Sequence, residues 1–156
     1  MSVDPARLAV VLAHPLAAIL LIWIFFRQRR WRQQATLMRG EDRSAAVVDH
    51  ESEGDKIAIA AICIVLLAFA SNAARGLIDH GDATSYLVPS FHGFTGIIGL
   101  ALLLYLWRLG RKTREKRVSG EGFARTKELH GKVSDLIGML VVIHSFLGFL
   151  YLLNIL

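Results

Sequence analysis

The residues best suited to chemistry in this sequence are its six histidines, five of which are followed four positions later by a small residue. That residue is an alanine after His14 and a serine after His130. The other three are glycines, in the pairs His50–Gly54, His92–Gly96 and His144–Gly148. Positions i and i+4 of a helix lie on one face, about 40° apart. Each imidazole would therefore have a flat recess beside it.

Such a recess suits a planar macrocycle, because the imidazole can reach a central iron while the ring edge lies against bare backbone. Small residues are also common in membrane helices, where they let helices approach closely, so a single H-x-x-x-G motif is weak evidence. A histidine in or beside a membrane span is costly and rare unless it has a partner or a function. Five histidines with the same offset favour haem as the cofactor.

Four apolar stretches can place these histidines in a membrane, since a span takes about 20 apolar residues. The chain is 54% hydrophobic, and the stretches cover about 5–26, 56–78, 90–109 and 130–155, with helix two extended back to about 47. Continuous apolar stretches of this length must be helical in lipid. We predict an all-α membrane protein with one domain over 1–156, an up-down bundle of four transmembrane helices. The first stretch lacks signal-peptide flanks and is expected to stay in the membrane.

The positive charge lies in two segments that belong on the same side of the membrane. These are "RQRRWRQQATLMR" after the first span and "RLGRKTREKR" after the third, whereas the loop between spans two and three has no Lys or Arg. Positive loops stay on the inner side, so both termini are expected outside. Topology and contact with anionic lipid explain the net charge of +5. We expect a bilayer partner and no nucleic acid, in a bacterial inner membrane or a thylakoid.

Depth and orientation sort four of the histidines into two levels. His14 and His92 belong to the outer half of the membrane, and His50 and His130 just precede spans two and four on the inner side. A haem with two imidazole ligands needs one from each of two helices that face across the core. Helices one and three are diagonal in a simple ring, as are two and four. We therefore predict two b-type haems, ligated by His14 with His92 and by His50 with His130.

Other residues leave alternatives open at the outer level. His144 follows His130 by 14 residues, about 21 Å along a helix, and lies near the depth of His14. An outer haem held by His144 with either His92 or His14 is the alternative. Arg75 either pairs with a haem propionate or snorkels to the interface. His80 is expected to be a solvated loop residue, and Cys63 a small buried one.

Four histidines, one per helix at 14, 50, 92 and 130, resemble the core of the cytochrome b561 family. Proteins of that family are transmembrane di-haem cytochromes in which core helices one and three hold one haem and two and four the other. The chain is also similar to a four-helix membrane family of cyanobacteria and plastids, which has a His-Pro in helix one, here His14-Pro15, and later H-x-x-x-G motifs. The resemblance implies the same two pairs. It does not extend to the cytochrome family's electron-donor site, which has no clear counterpart here.

The expected function is that of a di-haem cytochrome b that transfers electrons across or within a membrane, because iron with two imidazole ligands has no open position. It would be an oxidoreductase of the ferric or quinone reductase type, or an electron-transfer subunit, as a homodimer or within a larger membrane complex. The donor and acceptor are not indicated. One alternative is a haem-free structural or assembly subunit. Another is a metal or proton transporter. Against it, the spans lack acidic residues, with Asp135 as the main candidate.

Overall fold

The computed structural model describes residues 4–35 and 37–156, which fold into four helices without any strand. The helices are α1 (Pro5–Gln34), α2 (Gly40–His80), α3 (Phe91–Val118) and α4 (Ala124–Ile155). Each contains a window long and apolar enough to cross a membrane. The prediction of an all-helical chain with four such segments is confirmed, and it fits an integral membrane protein.

The helices are longer than the predicted apolar spans. α1, α2 and α3 continue through the charged segments at one end of the bundle, where Arg, Lys, Glu and Gln are good helix formers. Side-chain caps mark two starts: Asp4 accepts a hydrogen bond from the backbone N–H of Ala6, and Ser90 accepts one from Gly93. α2 ends at His80 and is capped by Gly81, whose φ of 70° lies in the left-handed region that glycine adopts without strain.

The four helices form an antiparallel ring. Neighbours in sequence pack together, α4 also packs against α1, and the backbones of the diagonal pairs α1–α3 and α2–α4 stay apart. Ion pairs between opposite helix ends show the antiparallel direction: Arg7 near the start of α1 binds Asp79 near the end of α2. We call the end with residues 81–90 the outer end and the opposite end the inner end, after the expected topology.

The tight apolar core lies towards the inner end. It consists of Phe25, Leu106, Leu109, Val133 and Ile137. Large apolar side chains cover the outside of the bundle; Ile59 and Val142 are 64% and 61% exposed. Cys63 is also exposed, so the expectation that it is buried was wrong. Hydrocarbon solvates a thiol or an isoleucine well, so an apolar residue of a membrane helix does not need burial in protein.

Candidate functional site

At the outer level the structure brings together three imidazoles. The ring centroids of His14 on α1 and His92 on α3 lie 6.2 Å apart across the diagonal, with an angle of 66° between the ring planes. His144 on α4 stacks on His92 at 4.1 Å and 18°. Its Nδ1 lies 3.0 Å from the hydroxyl oxygen of Thr95. His14 is thus separated from His92 by a gap, whereas His144 packs directly against His92.

At the inner level the other predicted pair meets across the other diagonal. The centroids of His50 on α2 and His130 on α4 lie 6.3 Å apart, with an angle of 76° between the planes. Trp31 stacks on His50 at 4.4 Å and 22°, and its indole N–H donates to the carbonyl of Ala46. His50 is therefore held between an indole and a second imidazole.

The separation within each diagonal pair is the one that a shared metal would require. Two imidazoles that bind one transition metal from opposite sides, each at a metal–nitrogen distance of about 2.0–2.1 Å, place their centroids roughly 6 Å apart. The measured separations are 6.2 and 6.3 Å. By the same reasoning the stacked His92 and His144 rings, at 4.1 Å, are too close to bind one metal from opposite sides.

Hydrogen bonds at Nδ1 fix the orientation of three of these rings. His14 donates to the carbonyl of Ile64 at 3.3 Å, His92 to that of His144 at 3.2 Å, and His130 to that of Leu106 at 3.2 Å. A carbonyl only accepts, so Nδ1 carries the proton in each ring. In the neutral ring the lone pair is then on Nε2. This is the arrangement of histidines that ligate metals, whose other nitrogen donates to a carbonyl or carboxylate.

His50 is held differently. The side-chain amide nitrogen of Gln28 lies 2.8 Å from its Nδ1 and 2.7 Å from its carbonyl oxygen, so it donates to both. The neutral His50 ring therefore carries its proton on Nε2. Gln28 and Trp31, three residues apart on one face of α1, both contact His50, which sequence reasoning missed. The available signal was their i, i+3 spacing within the charged segment.

The two hairpins repeat one pattern of contacts. In each, a histidine of the first helix bonds a carbonyl of the second, and a histidine of the second bonds a residue of the first. In α1–α2 these contacts are His14 with Ile64 and His50 with Gln28; in α3–α4 they are His92 with His144 and His130 with Leu106. On every helix the two contacts are 14 residues apart, which corresponds to about 21 Å. The hairpins are therefore structural repeats with two histidine levels.

The glycine recesses hold imidazoles of the neighbouring helix. A Cβ on Gly148 would lie 2.7 Å from Cε1 of His92, and one on Gly96 would lie 3.0 Å from Cε1 of His144. Gly110, which the sequence pattern did not single out, faces His130 at 3.3 Å. Gly96 and Gly110 are separated by 14 residues, as are His130 and His144, so α3 and α4 meet in one register. Gly54 faces open space beside the inner pair.

A cavity surrounds each histidine pair. The outer cavity, about 370 Å³, is lined by all four helices and includes His14, His92 and His144. The inner cavity, about 580 Å³, includes His50, Gly54 and His130. Both volumes lie within the range of about 300–1,000 Å³ that is typical of ligand and cofactor sites. The predicted site residues are therefore divided between two cavities, one at each level.

Arg75 lies inside the bundle and not on its outer surface. It is 3% exposed and lines the outer cavity together with Asn72. Lys127 and Lys132 line the inner cavity, and so does Asp135, which is bound by Arg29. His80 is exposed, as expected, although it is the last residue of α2 and bonds the Tyr86 hydroxyl at 2.9 Å.

The chain has no match among protein-family models, curated proteins or solved structures. Among the described residues, no three or more His, Cys, Asp or Glu side chains converge as a metal-ion site. The arguments about function therefore depend on the two histidine pairs and on the residues around them.

Proposed function

We propose that this chain is a di-haem b-type cytochrome that transfers electrons across or within a membrane. His14 and His92 would hold the outer haem, and His50 and His130 the inner one. The observation that carries the proposal is the geometry of the two diagonal pairs. Both have centroid separations of just over 6 Å, both lie in a cavity, and they occupy opposite ends of the bundle. The resemblance of the four histidine positions to the cytochrome b561 core agrees with this assignment.

The residues around the pairs suit this cofactor. Haem iron with two imidazole ligands exchanges single electrons and has no open position for oxygen chemistry. The carbonyls of Ile64, His144 and Leu106 orient three of the four rings and make their Nε2 atoms basic. For His50 to offer Nε2 in the same way, its Nδ1 would have to carry the proton, and the amide nitrogen of Gln28 would have to give up its contact with that atom.

The charge distribution supports the orientation of the bundle. The ends of α1 and α3 and the starts of α2 and α4 carry most of the Arg and Lys, which favours the inner side for that end and the outer side for both termini. Electrons would then enter or leave at either level, with donor and acceptor on opposite sides or in the lipid. A bacterial inner membrane or a thylakoid fits this arrangement, either as a homodimer or within a larger complex.

One observation favours a second candidate, the haem-free structural or assembly subunit. His92 and His144 each fill the recess at a glycine of the neighbouring helix. Their contacts close the α3–α4 interface without any cofactor. In that case the imidazoles would be packing and hydrogen-bonding groups. Both candidates use the same contacts, and they differ in whether the gaps within the diagonal pairs hold iron.

The absorption spectrum of the protein distinguishes the two candidates. The chain, produced with ample haem and purified in mild detergent, is compared in its dithionite-reduced and oxidised forms, and pyridine haemochrome gives the haem count. The cytochrome proposal predicts a sharp b-type α-band and one haem for each of the two pairs. A flat difference spectrum from folded protein would rule out the cytochrome and leave the structural subunit.

A further inference from the structure

Arg75 is a buried cation at the outer end of α2. Its side chain is 3% exposed, and among the described residues its Nε is the one buried side-chain donor or acceptor without a hydrogen-bond partner. A buried guanidinium with an unmet donor is costly, because both the charge and the N–H have lost water. Such a group in a cavity wall indicates a missing anionic partner.

The direct contacts of this cation are with neutral groups. Nη2 of Arg75 donates to the hydroxyl of Tyr151 at 2.9 Å, and the guanidinium lies over the Tyr86 ring at 3.7 Å. A cation–π contact offsets part of the cost of burial, but it does not satisfy the N–H groups. Asp79 is near enough to interact with the charge of Arg75, but it accepts hydrogen bonds from Arg7 at 2.9 Å and from the Tyr86 hydroxyl at 3.3 Å. Among the described residues, no carboxylate forms an ion pair with Arg75 within 4.0 Å.

The position of Arg75 relative to the histidines indicates the kind of ligand. Tyr151 accepts from Arg75, and its ring stacks beside His92 with a centroid separation of 6.2 Å and an angle of 16°. Both residues line the outer cavity, whose other walls are largely apolar, with Val11, Phe69 and Leu100 among them. An occupant that satisfies the whole site has an apolar body and one carboxylate. The planar fork of Arg75 would pair with that carboxylate through two hydrogen bonds.

We propose that the outer cavity is a carboxylate receptor in which Arg75 binds the acidic edge of an apolar ligand. The inference builds on the proposed function, because a propionate of the outer haem is one source of that carboxylate. The other source is a separate apolar acid such as a fatty acid. Tyr86 and Tyr151 hold the guanidinium in place for either one, so that little side-chain entropy is lost on binding.

The first arm of the test compares haem with haem dimethyl ester, in which both propionates are esterified. Each is titrated into haem-free His130→Ala protein, which lacks one ligand of the inner pair, so that the absorbance reports the outer site. With Arg75 present, this protein should bind haem about tenfold or more tightly than the ester, as expected for a charged hydrogen bond in a buried site. Arg75→Gln should remove this preference. Arg111→Gln is the control, because Arg111 is an exposed cation of α3 over the Trp107 ring at the inner end, and it should keep the preference.

The second arm tests a separate acid without any haem. Dodecanoate and the uncharged dodecanol are added at equal concentrations, and the thermal unfolding midpoint is measured. Dodecanoate should stabilise the wild type and Arg111→Gln more than dodecanol does, but not Arg75→Gln. If Arg75→Gln does not fold, Arg75→Lys replaces it in both arms. Lysine keeps the charge but loses the fork, so the preference for the acid should be reduced.

The outcomes separate this inference from the haem proposal. An Arg75-dependent preference for haem over its ester supports the receptor, with propionate as the source. An Arg75-dependent effect of dodecanoate alone supports it with a separate acid as the source, and if neither haem compound binds, the cytochrome proposal fails while the receptor stands. If haem binds but neither arm depends on Arg75, the receptor is overturned and the cytochrome proposal is unaffected.

Discussion

Two of the glycines that follow a histidine by four residues lie against a neighbouring helix. The i+4 spacing predicts a recess on the same face as each histidine, and Gly96 and Gly148 do lie beside imidazoles. The imidazole in each recess, however, belongs to the neighbouring helix: His144 for Gly96 and His92 for Gly148. The spacing within one helix cannot reveal this exchange, because it depends on the register between α3 and α4.

A methyl group added at these glycines should therefore push against a ring. Gly148→Ala places a Cβ 2.7 Å from Cε1 of His92, and overpacking of this kind costs about 1–3 kcal/mol. Gly96→Ala, at 3.0 Å from His144, should cost less. Gly99→Ala is the control on the same helix as Gly96. A Cβ on Gly99 would lie 3.8 Å from Cδ2 of Leu140, which is an ordinary van der Waals contact.

Thermal unfolding in detergent measures this order. Gly99→Ala should be neutral or slightly stabilising, because alanine favours a helix over glycine by about 1 kcal/mol. If Gly148→Ala were as stable as Gly99→Ala, His92 would be free to move, and its position across from His14 would not be fixed by packing.

At the scale of the helices, the repeated hairpin explains why the histidines fall at two levels. The interval is 36 residues from His14 to His50 and 38 from His92 to His130, so the two hairpins place their histidines at nearly equal spacing. Because the four helices form a ring, the first helices of the two hairpins, α1 and α3, are diagonal to each other, and so are the second helices, α2 and α4. The sequence was sufficient to predict this, because the depth of each histidine follows from its distance to the end of an apolar span.

The extensions of α2 and α3 beyond the apolar windows are joined by ion pairs. Glu51 of α2, 18% exposed, binds Arg117 at 2.8 Å and Arg114 at 3.3 Å on α3. Glu51→Gln should lower the free energy of unfolding by less than about 1 kcal/mol for each pair, because partly exposed ion pairs are weak. High salt should reduce the difference.

The control for this prediction is Glu128→Gln. Glu128 forms an exposed pair with Lys132 within α4 and joins no other helix. It should have no measurable effect on the unfolding midpoint at either salt concentration. A large effect of Glu51→Gln that persists in high salt would instead mean that Glu51 holds α2 and α3 together in a site shielded from water.

For the whole molecule, the number of helices and their apolar character follow from composition along the chain. The burial of Arg75 does not, since the sequence cannot distinguish a cation that snorkels from one held between Tyr86 and Tyr151. The contacts of Gln28 and Trp31 with His50 were also missed, although the i, i+3 spacing of the two residues was a signal for them. They arise because α1 remains helical into a segment whose charge marks it as interfacial.

The proposed orientation predicts which loops an impermeant reagent reaches. In a Cys63→Ala background, Ser85→Cys lies between α2 and α3, and Ser119→Cys follows α3. An impermeant maleimide should label the cysteine at 85 in intact cells or right-side-out vesicles. It should label the cysteine at 119 only after the membrane is permeabilised. The reverse pattern would place the charged end of the bundle outside, against the distribution of Arg and Lys.

The central claim is that two diagonal histidine pairs each hold one haem, and the haem count of single variants tests it most directly. His92→Ala and His130→Ala should each lose one of the two haems seen in the wild type, because each removes one ligand of a different pair. His144→Ala should keep both, and His80→Ala, at the exposed end of α2, is the control. A wild type without haem, or variants at His92 and His130 that keep the full count, would contradict the account.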